Sequence, residues 1–226
     1  MLYGRHMGRD STAAWRGDHP WAKVYDAITD RTGVGRLLWR IGVGSDLEVL
    51  HRTARAELDA LPDGAAVLDL PCGGGVVLRD LPEDRSLRYT AADVSPAMLQ
   101  RTREEAAERG IVVETVEADV EDLPFDDGAF DLVLTFTSLH CFPDPHRAVQ
   151  ELVRAVRPGG RLAGSTMLRG GPPRHRLGWV GGTALGVLGP GCTRAELEQW
   201  LAEAGLVDVV LDPSGAITYF AGTRSA

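Results

Sequence analysis

Between Asp46 and Leu61 the apolar residues Leu47, Leu50, Ala54 and Leu58 recur at helical spacing, with charged residues between them. This pattern predicts an amphipathic helix with one buried face, and Ser45 ahead of it suits an N-cap. The period then changes. Short strand-like runs follow, each closed by an acid: Val67-Leu68 to Asp69, Leu87 to Asp93, and Val112 to Asp119. A fourth run, Leu132–Phe136, carries its acid, Asp131, at its start. Short apolar runs alternating with helical stretches are the pattern of buried parallel strands linked by helices. Helices are predicted from Ser95-Pro96 to about Gly110, from Pro145 to Val156 and from Thr193 to Ala204. The first has a serine cap and a proline in its first turn, the second is stopped by Pro158-Gly159-Gly160, and the third has Thr193 and Glu196 spaced as a capping box with Gly205 at its end. Arg161–Met167 predicts a fifth strand. Residues 207–211 and 217–221, joined by Asp212-Pro213-Ser214-Gly215, predict a closing hairpin. Residues 1–19 are polar and irregular and predict a mobile start. Residues 20–40 predict short helices with Trp21, Tyr25, Ile28, Leu37 and Leu38 as apolar contacts.

The most informative stretch is Val-Leu-Asp-Leu-Pro-Cys-Gly-Gly-Gly at 67–75. A buried strand ending in an acid and three glycines, followed by Val76-Val77-Leu78, predicts a tight strand-to-helix turn where backbone can approach a ligand. Gly73 and Gly75 satisfy the first half of a dinucleotide fingerprint. The third glycine would fall at Leu78, which disfavours a nicotinamide dinucleotide. Asp93 lies 24 residues past Asp69, close to the roughly 20-residue offset of an acid that accepts from ribose hydroxyls. Acids at three successive strand ends suit a nucleoside carrying positive charge and suit a pyrophosphate poorly. Each has a plainer reading as well: Asp69 or Asp93 as a helix cap, Asp119 as a turn acid.

The segments VLDLPCGGG (67–75), AADVSPAMLQ (91–100), EADVEDLPFDDGAFDLVL (117–134) and LHCFPDPHRAVQELVRAVRPGGRL (139–162) resemble, in order and spacing, the class I S-adenosylmethionine-dependent methyltransferases. The nearest subgroup is the small type 11 enzymes acting on quinones, lipids and secondary metabolites. The resemblance runs from about residue 65 to 162 and more loosely beyond. It implies an α/β fold: a Rossmann-like, doubly wound, seven-stranded sheet, mostly parallel with an antiparallel C-terminal hairpin strand, under an N-terminal helical cap. One domain is expected, with a cap at 1–62, a cofactor core at 63–167, an acceptor loop at 168–192 and a closing helix and hairpin at 193–226. The implied cofactor is S-adenosylmethionine, leaving as S-adenosylhomocysteine, with no metal. Its implied contacts are Asp69, Leu70, Pro71, Cys72, Gly73 and Gly75 on the loop, Asp93 and Val94 at the ribose, Met98, Asp119 and Val120 around the adenine, and Thr135 at the methionyl end. Met98 fits the core equally well. Pro71 stands where the family usually has glycine, so the turn there must differ locally.

His140, just after the fourth strand, is a candidate general base for a phenol, alcohol or amine acceptor, or a plain hydrogen-bonding partner of the backbone. The resemblance makes Tyr25 a candidate lid over the cofactor. Residues 168–192 read as a glycine-rich, structureless insertion, of the kind that is either a functional lid or a disordered loop. Its basic cluster (Arg169, Arg174, His175 and Arg176) offers contacts to an anionic group on the acceptor or a solvated surface, while Trp179 and neighbouring aliphatics offer apolar surface.

Composition narrows the choice. A chain of 226 residues, 44% hydrophobic and 25% charged, suits one globular enzyme domain. Its net charge of −8 argues against broad nucleic-acid binding. No apolar stretch is long enough to span a bilayer, residues 1–10 lack a secretory apolar core, and Cys72, Cys141 and Cys192 give neither metal nor disulfide spacing. A cytoplasmic enzyme methylating a small, hydrophobic acceptor at O, N, C or S is expected, as a monomer or homodimer. The alternatives are a cyclase-like enzyme using the same cofactor without methyl transfer, and a non-catalytic cofactor-binding regulator.

Overall fold

The computed structural model describes residues 15–16, 37, 39–40, 44–82, 86–170, 173–184 and 186–226, with the side chains of 173–178 outside that description. Seven strands form one sheet in the order β3-β2-β1-β4-β5-β7-β6. They are β1 (Ala66–Asp69), β2 (Arg88–Asp93), β3 (Glu114–Glu117), β4 (Phe130–Thr135), β5 (Val156–Met167), β6 (Leu206–Ser214) and β7 (Ile217–Arg224). The first five run parallel, and β7 lies antiparallel between β5 and β6. The order reverses between β1 and β4, and in open α/β sheets a ligand binds at that switch point, beyond the carboxyl ends of the strands.

The sheet is covered on both faces. On one, α1 (Leu47–Asp59) and α2 (Pro96–Glu108) bury Leu50, Ala54, Leu58, Leu99 and Ala106 against Val67, Ala91, Leu132 and Leu134. On the other, α3 (Pro145–Ala155) and α5 (Arg194–Glu203) bury Val149, Leu152, Leu197 and Leu201 against Leu68, Ala92, Val133 and Leu162. The central residues of β1, β2 and β4 alternate between these faces and are buried on both. This is the Rossmann-like, doubly wound architecture that the sequence implies.

Several boundaries differ from the sequence-based expectation. Asp46, not Ser45, caps α1 by accepting from the Glu48 amide, while Ser45 is buried on Ser214. Beyond the glycines there is only a four-residue 3-10 turn, Val77–Asp80, rather than a helix. Leu81 is already extended, as a residue preceding a proline tends to be. β5 starts at Val156 and runs through Pro158-Gly159-Gly160, and the closing hairpin turns at Gly215-Ala216, so Pro213 lies within edge strand β6, where a missing amide is tolerated. Leu37 is exposed whereas Trp39 beside it is buried. Trp21, Tyr25, Ile28 and Leu38 lie outside the described residues.

The segment 168–192 is not structureless. It contains α4 (Pro173–Ala184), and its neck is closed by a parallel bridge from Leu168 to Cys192 and by the Arg169 amide donating to the Cys192 carbonyl at 2.7 Å. Trp179 packs against Gly191, and the Gly189 amide donates to the His140 carbonyl at 2.8 Å, seating the segment on the loop after β4.

Candidate active site

An open cleft lies at the switch point. It is lined by Asp69, Leu70, Pro71, Cys72 and Gly73 from β1 and its loop, by Asp93, Val94 and Met98 from the β2–α2 turn, and by Ala118, Asp119 and Val120 after β3. Phe136, Thr137, Cys141, Phe142 and Pro143 follow β4, and Trp15 and Leu50 close the cap side. Ten of the twelve expected cofactor contacts therefore face one space. Gly75 and Thr135 do not. Gly75 serves the turn: its φ is +81°, and an added Cβ would lie 3.1 Å from Leu78 and 3.4 Å from the Thr102 backbone. Thr135 is fully buried, its hydroxyl donating to the Ser138 hydroxyl at 2.7 Å.

The glycine loop and the β2 acid form one unit. Gly73 has a φ of +53°, and its amide donates to Asp93 Oδ2 at 3.0 Å. Asp93 Oδ1 accepts from the Ser95 amide at 2.9 Å, so the carboxylate organises the start of α2, and the Ser95 hydroxyl makes no capping bond. A carboxylate has about four acceptor positions, so capacity remains for hydroxyls of a ligand in the cleft. The Leu70–Pro71 peptide is cis, and Pro71 still lines the cleft.

Asp69 is buried on the α1-covered face, accepting from the Tyr89 hydroxyl at 2.8 Å. Burial pushes its carboxyl up to about 7, with Tyr89 pulling it down and Asp93 adding to the rise. Burial likewise pushes Asp93 up to about 6 against the amides of Ser95, Gly73 and Val94. Two carboxyls that burial biases towards protonation, facing one cleft, fit a ligand that brings its own positive charge and hydrogen-bond donors. The residues thus fit the sulfonium nucleoside implied by the sequence.

Asp119 lies beyond β3 in an isolated bridge with Asp122. Its Oδ1 accepts from the Glu121 amide at 3.1 Å, and its Oδ2 pairs with Arg16 at 3.2 Å. Trp15 is bonded as well, its indole donating to the Val187 carbonyl at 3.3 Å. These two residues, in a stretch expected to be irregular, are helical and join the cleft to the 168–192 segment.

His140 is not among the residues that line the cleft. It is buried, its Nδ1 accepts from the Met167 amide at 3.2 Å and lies 3.2 Å from the Thr166 hydroxyl, and burial pushes it down to about 4. With Nδ1 committed as an acceptor, the neutral ring carries its proton on Nε2 and presents no free lone pair. The arrangement matches the backbone-bonding alternative and counts against a base. Tyr25 lies outside the described residues, as do the side chains of Arg174, His175 and Arg176. Trp179 is half-buried against Gly191. Arg169 is paired with the capping-box acid Glu196 at 2.7 Å, which removes it from the basic cluster. Sequence reasoning missed Trp15, Leu50, Phe136 and Phe142 as walls of the cleft, as well as the Tyr89 hydroxyl and the Arg16 partner of Asp119.

Comparison with known proteins bears on the family of the chain. A family model described as a methyltransferase domain matches residues 68–164. A ubiquinone biosynthesis O-methyltransferase of Xanthomonas axonopodis pv. citri is 34% identical over 64% of this chain and 64% of its own length. A demethylmenaquinone methyltransferase of Thermus thermophilus is 37% identical over 54% of this chain and 55% of its own. The chain thus spans between about half and two thirds of the length of these relatives. Among solved structures, a chain in the Haloferax volcanii complex of the Trm112 methyltransferase activator with a methyltransferase superposes with a TM-score of 0.69 at 21% identity, over 96% of this chain and 99% of that one. This last likeness bears on the fold alone. Residues 68–164 thus carry a methyltransferase domain, the family that the sequence resembles. Among the described residues no helix is long and apolar enough to cross a membrane.

Proposed function

We propose that this protein transfers a methyl group from S-adenosylmethionine to a small, lipid-like acceptor carrying a hydroxyl or an activated ring carbon. The observation that carries the reading is the convergence of Asp69, Asp93 and Asp119 on one cleft that is otherwise walled by Leu50, Phe136, Phe142 and Trp15. Asp93 would take the ribose hydroxyls, Asp119 and Val120 the adenine edge, and Asp69 with the glycine loop the methionyl end. The cofactor supplies an electrophilic methyl, so the protein's work is alignment and exclusion of water. Trp15 and Leu50 cover the cap side of the cleft, and Phe136 and Phe142 offer flat apolar surface to an acceptor. The names of the two relatives, both quinone methyltransferases, favour a quinone-like or phenolic acceptor.

Incubation with S-adenosylmethionine and a panel of hydroxylated quinones and phenols, followed by mass spectrometry, tests this. Methylated product together with S-adenosylhomocysteine is expected. An altered acceptor without S-adenosylhomocysteine would instead indicate a cyclase-like use of the cofactor, and binding without any turnover would indicate a regulator.

A further inference from the structure

Tyr89 is a buried tyrosine with a specific partner. In the β1–β2 register it stands beside Val67, and Asp69 lies two residues further along β1. At ~3.3 Å per residue that separation is about 6.6 Å, which a tyrosine ring can bridge. The hydroxyl donates to Asp69 Oδ2 at 2.8 Å, beneath the glycine loop and on the face covered by α1. The charged and titratable groups around this contact come from several elements. Asp93 of β2 and Cys72 of the loop interact with Asp69, and Asp80 of the 3-10 turn acts on Tyr89. Asp80 is itself held by His51 of α1 at 2.6 Å, both side chains being buried. The influences on Asp69 are burial, Tyr89 and Asp93, none of them a cation. Tyr89 is the one that favours the ionised carboxylate.

We propose that Tyr89 is a positioning residue of the cleft: its hydroxyl, held on Asp69 Oδ2, fixes the orientation of the carboxylate and favours its ionised form, so that it can receive the cationic end of the ligand. This rests on the reading of the cleft as an S-adenosylmethionine site. A buried carboxylate that loses a hydrogen-bond donor takes up a proton more readily. Removing the hydroxyl therefore shifts Asp69 further towards its neutral form at neutral pH and weakens capture of a cation. Raising the pH restores the charge.

The test uses the full chain as wild type, Tyr89→Phe and Asp69→Asn. The titration of Asp69 is read in the unliganded protein by the carbon resonance of its labelled carboxyl group, and S-adenosylmethionine affinity is measured by calorimetry between pH 6 and 9. In Tyr89→Phe, Asp69 is expected to titrate at higher pH than in wild type. Its affinity at pH 7 is expected to fall roughly tenfold or more, as for a lost hydrogen bond to a charged group, and to recover towards wild type at pH 9. Asp69→Asn is expected to bind weakly at every pH and without the wild-type slope. An Asp69 titration unmoved by Tyr89→Phe, or an affinity lowered equally at all pH values, overturns the proposal. Should Tyr89→Phe fail to fold, Asp69→Asn decides, because retention of the wild-type pH slope in that variant also overturns it. If wild type binds neither S-adenosylmethionine nor S-adenosylhomocysteine, the functional reading fails, while the titration, read without ligand, still decides the role of Tyr89.

Discussion

The Gly73 amide donates to Asp93 Oδ2 across 3.0 Å, so the loop after β1 and the acid at the end of β2 hold each other in place. Asp93→Ala removes a buried acceptor from the amides of Gly73 and Ser95, as well as the proposed ribose contact. Hydrogen bonds to charged groups contribute ~1.5–3 kcal/mol each. S-adenosylmethionine affinity is expected to fall by about 100-fold or more, with a drop in thermal midpoint. Asp93→Asn, which retains one carbonyl acceptor, is expected to fall between the two. Calorimetry and thermal denaturation of the three proteins check this ordering.

The unliganded protein is expected to lose stability as pH rises from about 4 to about 8. Asp69 and Asp93 have folded values raised to about 7 and about 6, against 3.8 when unfolded. Between those limits the folded state holds protons that the unfolded state has released, so the stability they contribute is complete below the unfolded value and is lost as pH rises through the folded ones. Each proton so held changes stability by ~1.4 kcal/mol per pH unit. At the acid end the opposite holds. Against the burial that pushes them up, Arg157 with the Ala66 amide and Arg154 with the Leu123 amide hold Asp131 and Glu151 below their ordinary values, so their contribution is lost as pH falls. The midpoint is expected to be highest in mildly acidic buffer, and saturating S-adenosylmethionine is expected to flatten the decline above it. A midpoint that climbs steadily from pH 5 to 8 without ligand would contradict the burial of these acids.

Thr137 lines the cleft with a φ of +50°, where a β-branched residue is strained. Its amide donates to the Ser165 hydroxyl of β5 at 3.0 Å, which holds the conformation in place. Thr137→Gly is expected to raise the unfolding free energy by about 1 kcal/mol by relieving that strain, and to lower turnover because the cleft loses a wall. Parallel chemical denaturation and activity measurements check the opposed signs. A variant that loses both stability and turnover would show that the side chain serves packing.

His140→Leu leaves the half-buried Met167 amide without this acceptor. A cost of ~1–3 kcal/mol is expected, with cofactor affinity and the pH profile of turnover unchanged. A profile that loses its acid limb, where a base would protonate, at unchanged stability would restore His140 as a base.

How much of this was legible in the sequence depended on the kind of signal. Strand runs ending in Asp69 and Asp93, the period of α1 and the Thr193–Glu196 box are local patterns, and each forms at or within a few residues of its predicted position. Contacts set by tertiary approach left no such trace. Arg16 meets Asp119 across 103 residues, and Trp15 sits in a polar stretch without periodicity. The runs that place Tyr89 on a face do not say that its hydroxyl reaches Asp69. α4 was missed because Gly178, Gly181 and Gly182 lower helix propensity and read as loop. The orientation of the His140 ring is fixed by the Met167 amide on a neighbouring strand, which local sequence does not encode. The glycine loop is legible as a turn but not as a 3-10 one, since its stop, Leu81 held extended ahead of Pro82, lies beyond the glycines.

The most direct test is calorimetric titration of the full chain with S-adenosylmethionine and S-adenosylhomocysteine, using Asp93→Ala as the control. Binding of both with dissociation constants of the order of micromolar, abolished in Asp93→Ala, is the expected result. Absence of binding to either by a folded wild-type protein, or equal binding by Asp93→Ala, would contradict the assignment of the cleft.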